Sequence, residues 1–354
     1  MKQSKNLIAL LILLAVAFSS CTRDEVIVVP PAPTVQDGVY VLCEGGFVPG
    51  TSKLAFYDFS NDTFYPDIYA PGTLGLFPDG IVLTGNYLYI TEQGNFGSPG
   101  KIYKLDTNGT AIIASNLGVN PFNVIETNGR LYVTNGPTGI VSVVSRDNLQ
   151  LLYTVNVRNY PQELTGIGNR VFVCNAGSFS TGPDSVVSVI DAGNNQVIGE
   201  IRVGNNPSTV TASTDGKLLV GCPGDSVTAA IYKVDPISLA ILDTFKNLPY
   251  GLSKDLNTDA AGKLYFIGGN IYSDEDIVSY SPSTGVSEKI VPKQAGYLNY
   301  GLAYDKQSNQ LYVGAAASDF SSDGRFRIYS STGNLVKDFQ IPTGIAPRRL
   351  LVKR

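Results

Sequence analysis

The residues that could carry chemistry in this chain are few, and most are carboxylates. Asp274-Glu275-Asp276 puts three hard oxygen donors in one loop, the ligand type that collects Ca²⁺. The spacing of a full calcium loop is missing, however, and a solvated acidic turn has the same composition. Asp319 and Asp323-Gly324 have the same two readings. Asp79, Asn123, Glu163 and Asp255 are scattered along segments that read as inner strands. A carboxylate- or metal-dependent hydrolase needs several such groups to converge, and their separation gives no sign that they do.

Histidine is absent from all 354 residues. That excludes Ser-His-Asp and Cys-His catalysis, His-ligated zinc and the two-His-one-carboxylate iron site. It also removes the commonest general base near neutral pH. Cys43, Cys174 and Cys222 lie far apart at the ends of apolar strands, with no C-x-x-C pair, so buried packing is expected of them rather than metal binding. Gly94-Asn95-Phe96-Gly97 lacks the lysine and the helix of a phosphate loop. No metal site, cofactor or catalytic residue is therefore expected, and the chain reads as a binding protein rather than an enzyme.

What remains is recognition chemistry, concentrated in one set of loops. The rings are Phe47, Phe77, Phe96, Phe122, Tyr160 and Phe179, then Tyr250, Tyr272, Tyr297, Tyr300 and Phe320. Among them lie Glu44, Gln93, Asn95, Asn135, Gln162 and Asn175, then Lys254, Asn270 and Arg348. Rings supply contact area at low entropic cost, and amides supply adaptable hydrogen bonds. Some of these rings are expected to fill gaps between structural units instead.

The elements that carry these loops repeat. A strand of the form Gly38-Val39-Tyr40-Val41 recurs as Tyr87-Leu88-Tyr89-Ile90, Arg130-Leu131-Tyr132-Val133 and Arg170-Val171-Phe172-Val173. It continues as Lys217-Leu218-Leu219-Val220, Lys263-Leu264-Tyr265-Phe266 and Gln310-Leu311-Tyr312-Val313. Copies lie 40 to 49 residues apart, the period of a four-stranded propeller blade. A tight-turn pair such as Asn128-Gly129 precedes most copies, and a Pro-led link such as Asn120-Pro121 opens the next unit. The sequence predicts an all-β, seven-bladed β-propeller over residues 37–354, with blade one shared by N- and C-terminal strands. The body begins at the repeat's second strand, and Ala346-Pro347-Arg348-Arg349-Leu350-Leu351-Val352 matches the missing first strand. Alternating strand direction puts the aromatic loops on one face, here called upper, and the short turns on the other.

Ahead of the body, Lys2 and Lys5 precede an apolar run from Leu7 to Phe18, too short to span a bilayer and of the length of a signal-peptide core. Residues 1–20 are read as the leader and 21–36 as a tether stiffened by Pro30, Pro31 and Pro33. Without the leader, 24 basic residues face 30 acidic ones, a net charge of −6, and basic runs are absent. Nucleic acid is therefore excluded as a partner.

Three resemblances follow. Ser19-Ser20-Cys21 resembles the lipobox of bacterial lipoproteins, with Phe18 in place of the usual leucine; it implies acylation of Cys21 and a membrane anchor. Thr22-Arg23-Asp24-Glu25 resembles an acidic export signal that routes lipoproteins to the outer-membrane surface. Leu131-Tyr132-Val133-Thr134-Asn135, with Val186 to Asp191 and Gly204-Asn205-Asn206-Pro207, resembles the YVTN-type (YncE-like) propellers. Together these imply a cell-surface lipoprotein that binds a ligand on its upper face. They are similar to lipid-anchored propellers that deliver cobalamin to an outer-membrane transporter, so a small molecule or glycan and such a transporter are the expected partners. A protein- or glycan-interaction scaffold is the alternative, and a carboxylate- or metal-dependent propeller hydrolase is a third reading.

Overall fold

Each repeated second strand is a nearly unbroken apolar run because both of its faces are covered. Gly38–Cys43 is buried at all six positions, as is most of Arg130–Asn135. The computed structural model describes residues 34–354 except 96, 179, 225–227 and 247. The leader, Cys21, all but the end of the tether, Phe96 and Phe179 lie outside the described residues.

The chain forms seven four-stranded antiparallel sheets arranged as the blades of a β-propeller. The innermost strands of blades 2 to 7 are Pro78–Thr84, Pro121–Thr127, Pro161–Ile167, Thr209–Ala212, Lys254–Thr258 and Tyr297–Asp305. Blade 1 takes its innermost strand from the C-terminus: Pro347–Lys353 pairs with Gly38–Cys43, from Gly38↔Lys353 to Cys43↔Pro347. Ring closure by both chain ends is therefore as the repeat predicts, and it covers the edge that Gly38–Cys43 would otherwise expose. The core lies between blades. One cluster joins Tyr40, Leu42 and Phe56 of blade 1 to Leu88, Ile90 and Leu105 of blade 2. Another joins Val39, Val41 and Ala55 to Tyr312, Phe326 and Ile328 of blade 7. Leu351 packs on the first cluster, Leu350 and Val352 on the second, as strand alternation requires.

A recurring Tyr and Thr of the second strand fasten blades 1 to 4 to one another in succession. On the lower side, the hydroxyls of Tyr40, Tyr89 and Tyr132 donate to Thr107 O, Arg146 O and Asn195 Oδ1, all in turns of the following blade. On the upper side, Thr91 Oγ1 donates to Phe122 O at 2.7 Å and Thr134 Oγ1 to Gln162 O at 2.6 Å. The same two hydroxyls accept from Gly80 N and Asn123 N of their own blades. A hydroxyl can do both because it donates once and accepts twice.

One glycine is fixed by this framework. Gly118 has φ +53, and a Cβ there would lie 1.7 Å from Asn135 Oδ1. We expect Gly118→Ala to lower stability by about 2 kcal/mol, from left-handed strain plus displacement of a buried amide. Urea unfolding monitored by tyrosine fluorescence checks this; an unchanged midpoint would show that Asn135 yields freely.

Candidate functional site

The upper ends of the innermost strands are built to aim side chains at the axis. In the Pro-led links the residue before proline takes a positive φ: Phe77 (52), Asn120 (48), Tyr160 (53), Asn206 (56) and Ala346 (52). Bulky residues rarely adopt this conformation, so packing must hold Phe77 and Tyr160 in it. The ladder then slips, between Pro78 and Ile81, Pro121 and Val124, Pro161 and Leu164, Lys254 and Asn257, and Asn299 and Gly301. Such bulges re-aim side chains. The equivalent pairs around the ring are Asp79-Gly80, Phe122-Asn123, Gln162-Glu163, Ser208-Thr209, Lys254-Asp255, Tyr300-Gly301 and Arg348-Arg349.

Two arginines of the C-terminal strand cross the axis from blade 1. Arg348 Nη1 donates to both carboxylate oxygens of Asp255 in blade 6, each at 2.8 Å. Arg349 Nε donates to Asp79 Oδ1 in blade 2 at 2.8 Å, and its Nη2 to Glu163 Oε1 in blade 4 at 2.6 Å. Asn123 Nδ2 donates to the other Glu163 oxygen, also at 2.6 Å. Burial disfavours the charged form of Glu163, but the guanidinium groups of Arg349 and Arg348 outweigh it and hold its carboxyl below the usual range. Asp79, Asn123, Glu163 and Asp255, scattered in sequence, therefore converge on one floor.

Glu44, Tyr300 and Lys254 stand beside this floor. The Tyr300 hydroxyl donates to Glu44 Oε2 at 2.7 Å. Lys254 Nζ lies 4.3 Å from the centre of the Tyr300 ring and pairs with Asp274 Oδ2 at 2.9 Å. Burial, and then the nearby Asp79 carboxylate, push Glu44 up to about 7, against the opposing pull of Arg348, Tyr300 and Lys254. Gln93 Nε2 reaches Asp79 Oδ2 at 3.4 Å, while its buried Oε1 has no partner among the described residues.

Aromatic pairs stand on the upper loops and links. Phe47 and Phe77 meet edge to face at 5.1 Å, Phe122 and Tyr160 at 5.9 Å, and Tyr300 and Phe320 at 5.5 Å. Gly136 makes room for one pair, since a Cβ there would sit 3.1 Å from both Phe122 and Tyr160. Next to Tyr160 a cleft of about 570 Å³ opens between blades 3 and 4, lined by residues 136–139 and 156–160 with Ser178, Ser180 and Thr181.

The structure thus sorts the residues singled out in the sequence. Glu44, Gln93, Gln162, Lys254, Tyr300 and Arg348 surround the axis, with Phe122 on the innermost strand of blade 3 and Phe47, Phe77, Tyr160 and Phe320 on the loops and links. Asn95, Tyr250 and Tyr272 lie in loops, Asn270 ends the strand Leu264–Asn270, and Tyr297 begins the innermost strand of blade 7; Lys289 sits over the Tyr250 ring, and Arg327 over that of Tyr297. Asn135 and Asn175 turn inward and are buried. Their Nδ2 groups donate within their own blades, to Ser142 Oγ and Ser188 Oγ, so they present no surface to a ligand. Arg349 was missed, although it occupies the repeat position of Asn123 and Glu163.

The acidic loop is already neutralised. Asp274, Glu275 and Asp276 pair with Lys254, Lys293 and Lys289 respectively. Asp319 accepts from the backbone of Ser321 and Ser322, and Asp323 from Thr343 N. Cys43, Cys174 and Cys222 are buried free thiols whose acidity burial suppresses, Cys222 to about 12.

No protein-family model matches the chain, and no curated protein matches it in sequence. Solved structures do match in fold. A Lactobacillus plantarum protein superposes with TM-score 0.68 at 16% identity, covering 90% of this chain and all of that one. The periplasmic gluconolactonase of Pseudomonas aeruginosa gives 0.65 at 16% identity, covering 89% and 99%. A putative 6-phosphogluconolactonase of Bacteroides fragilis gives 0.65 at 13%, covering 91% and 99%. At these identities the likeness is one of fold. It nevertheless corrects the expectation that the chain is not an enzyme. Whole-length propellers of the same form bear lactonase names, so the architecture does not argue against hydrolysis. Nor does the missing histidine, because a desolvated carboxyl such as Glu44 can titrate where histidine normally does.

Proposed function

We propose that this chain is an envelope lipoprotein of the YVTN-type propeller group, anchored through acylated Cys21 at the outer-membrane surface. In this reading its axial mouth binds a small, neutral, polyhydroxylated ligand: a sugar or sugar lactone. The observation that carries the ligand class is the floor itself. Its three carboxylates, Asp79, Glu163 and Asp255, share the two guanidinium groups of Arg348 and Arg349, which fixes hydrogen-bond donors and acceptors and disfavours an anionic ligand. Gln93 Oε1 is a buried acceptor with no partner among the described residues, which a ligand hydroxyl reaching it would satisfy, and aromatic faces above suit the C–H faces of a sugar ring.

Anchoring is supported by the leader and by where the body begins. Val35 N donates to Asn108 Oδ1 in a lower turn, and Lys353 Nζ to Gln36 O, so the chain enters opposite the mouth. Thermal-shift and calorimetric titration of the purified chain against neutral hexoses, aldonolactones and cobalamin tests the ligand class. Stabilisation by sugars or lactones, abolished by Gln93→Leu, is the expected result. Response to cobalamin alone would replace this ligand with a corrinoid, and response to none would end the reading.

A further inference from the structure

We propose that Glu44 is the general base of a hydrolytic centre that opens a cyclic sugar ester bound at the axial mouth. This rests on the ligand reading above and adds a reaction to it. The carboxylate stands at the junction of four inner strands: Tyr300 of blade 7 donates to it, and Asp79 of blade 2, Arg348 of blade 1 and Lys254 of blade 6 are the charged groups that act on it. Tyr300 is the positioning residue. Its hydroxyl fixes one carboxylate oxygen at 2.7 Å and its ring face supports Lys254 at 4.3 Å, so base and cation are held on one rigid ring. Phe320 braces that ring edge to face.

The step balances with water as the only co-reactant. Glu44, ionised, takes a proton from water as its oxygen bonds to the lactone carbonyl carbon. The negative charge that develops on the carbonyl oxygen is stabilised by the fields of Lys254 and Arg348, which act on Glu44 while each stays paired with its own carboxylate. The ring C–O bond then breaks, and the leaving alkoxide receives the proton from Glu44, giving the open hydroxy acid. Because the base form is required, the rate rises with pH through about 7, where burial has placed Glu44. Asp255, Asp79, Glu163 and Asp274 are tied to guanidinium or ammonium groups, whereas the hydroxyl that bonds to Glu44, that of Tyr300, is neutral.

The test uses D-glucono-1,5-lactone, with acid release measured above the buffer rate between pH 5.5 and 8, and D-glucose as an unreactive binding probe. Expected are saturable hydrolysis with a rising limb near pH 7, and a loss of about 100-fold or more in kcat for Glu44→Gln with glucose binding kept within about threefold. Tyr300→Phe removes a hydrogen bond that favours the charged form, so its midpoint should move to higher pH. Binding without hydrolysis, full activity in Glu44→Gln, or a falling limb would overturn the base while leaving the binding site intact. Failure of lactone and glucose to bind at all would overturn the ligand reading itself. If Glu44→Gln does not fold, the wild-type profile and Tyr300→Phe still decide.

Discussion

Deleting residues 346–354 is expected to yield insoluble or openly aggregating protein. The deletion strips the Pro347–Lys353 strand from Gly38–Cys43 and exposes that ladder edge. It also removes Leu350, Leu351 and Val352 from the two clusters that flank blade 1. Full burial of such a side chain contributes about 1.5–3 kcal/mol, and these are partly buried, so the three together contribute roughly 3–5 kcal/mol. The lost ladder and the axial carboxylates left without Arg348 and Arg349 add to this, against a typical total stability of about 5–15 kcal/mol. Expression with size-exclusion chromatography and thermal melting is the measurement. A soluble monomer that melts like the intact chain would falsify the shared blade.

Arg349→Met should be the most damaging single substitution at the axis. It leaves Asp79 without its partner and takes the closer of two cations from Glu163, whose contact to Arg348 is 3.6 Å. Removing one member of a buried ion pair costs about 3 kcal/mol or more, a fall of roughly 5 °C in melting temperature for a chain of this size. Glu163→Gln in the same background should restore part of the loss, since the two changes share one interaction. Strict additivity of the two would show that the pair is not coupled.

The pH dependence has a defined sign. The Glu163 carboxyl is held below its unfolded value of about 4.3, so its contribution is complete above that pH and disappears as pH falls through the folded value. The acid limb of the stability curve should therefore be shallower in Arg349→Met than in the intact chain.

The ring was legible in the sequence because its framework residues repeat in kind. Tyr40, Tyr89 and Tyr132 make the same bond to the next blade, and Thr91 and Thr134 another, so one structural need left one pattern. The floor was hidden for the opposite reason. Asp79, Asn123, Glu163, Asp255 and Arg349 differ in type because each complements another across the axis, so they look unrelated until registered against the proline that opens each inner strand or the residue standing in its place. Asn135 and Asn175 misled because an amide at the end of a strand looks like a loop residue. Here each is the buried lock of its own second and third strands. The acidity of Glu44 could not be read at all, since it arises from burial and from Asp79, 35 residues away.

Arg348 and Arg349 sit on the strand that closes the ring, and without them the floor is a group of carboxylates around an open axis. They cannot take their places until that strand docks on Gly38–Cys43. A molecule that loses the strand to a protease lacks the cations at the mouth as well as the closure. Assembly of the mouth is in this way tied to closure of the ring: an open propeller carries no half-built floor.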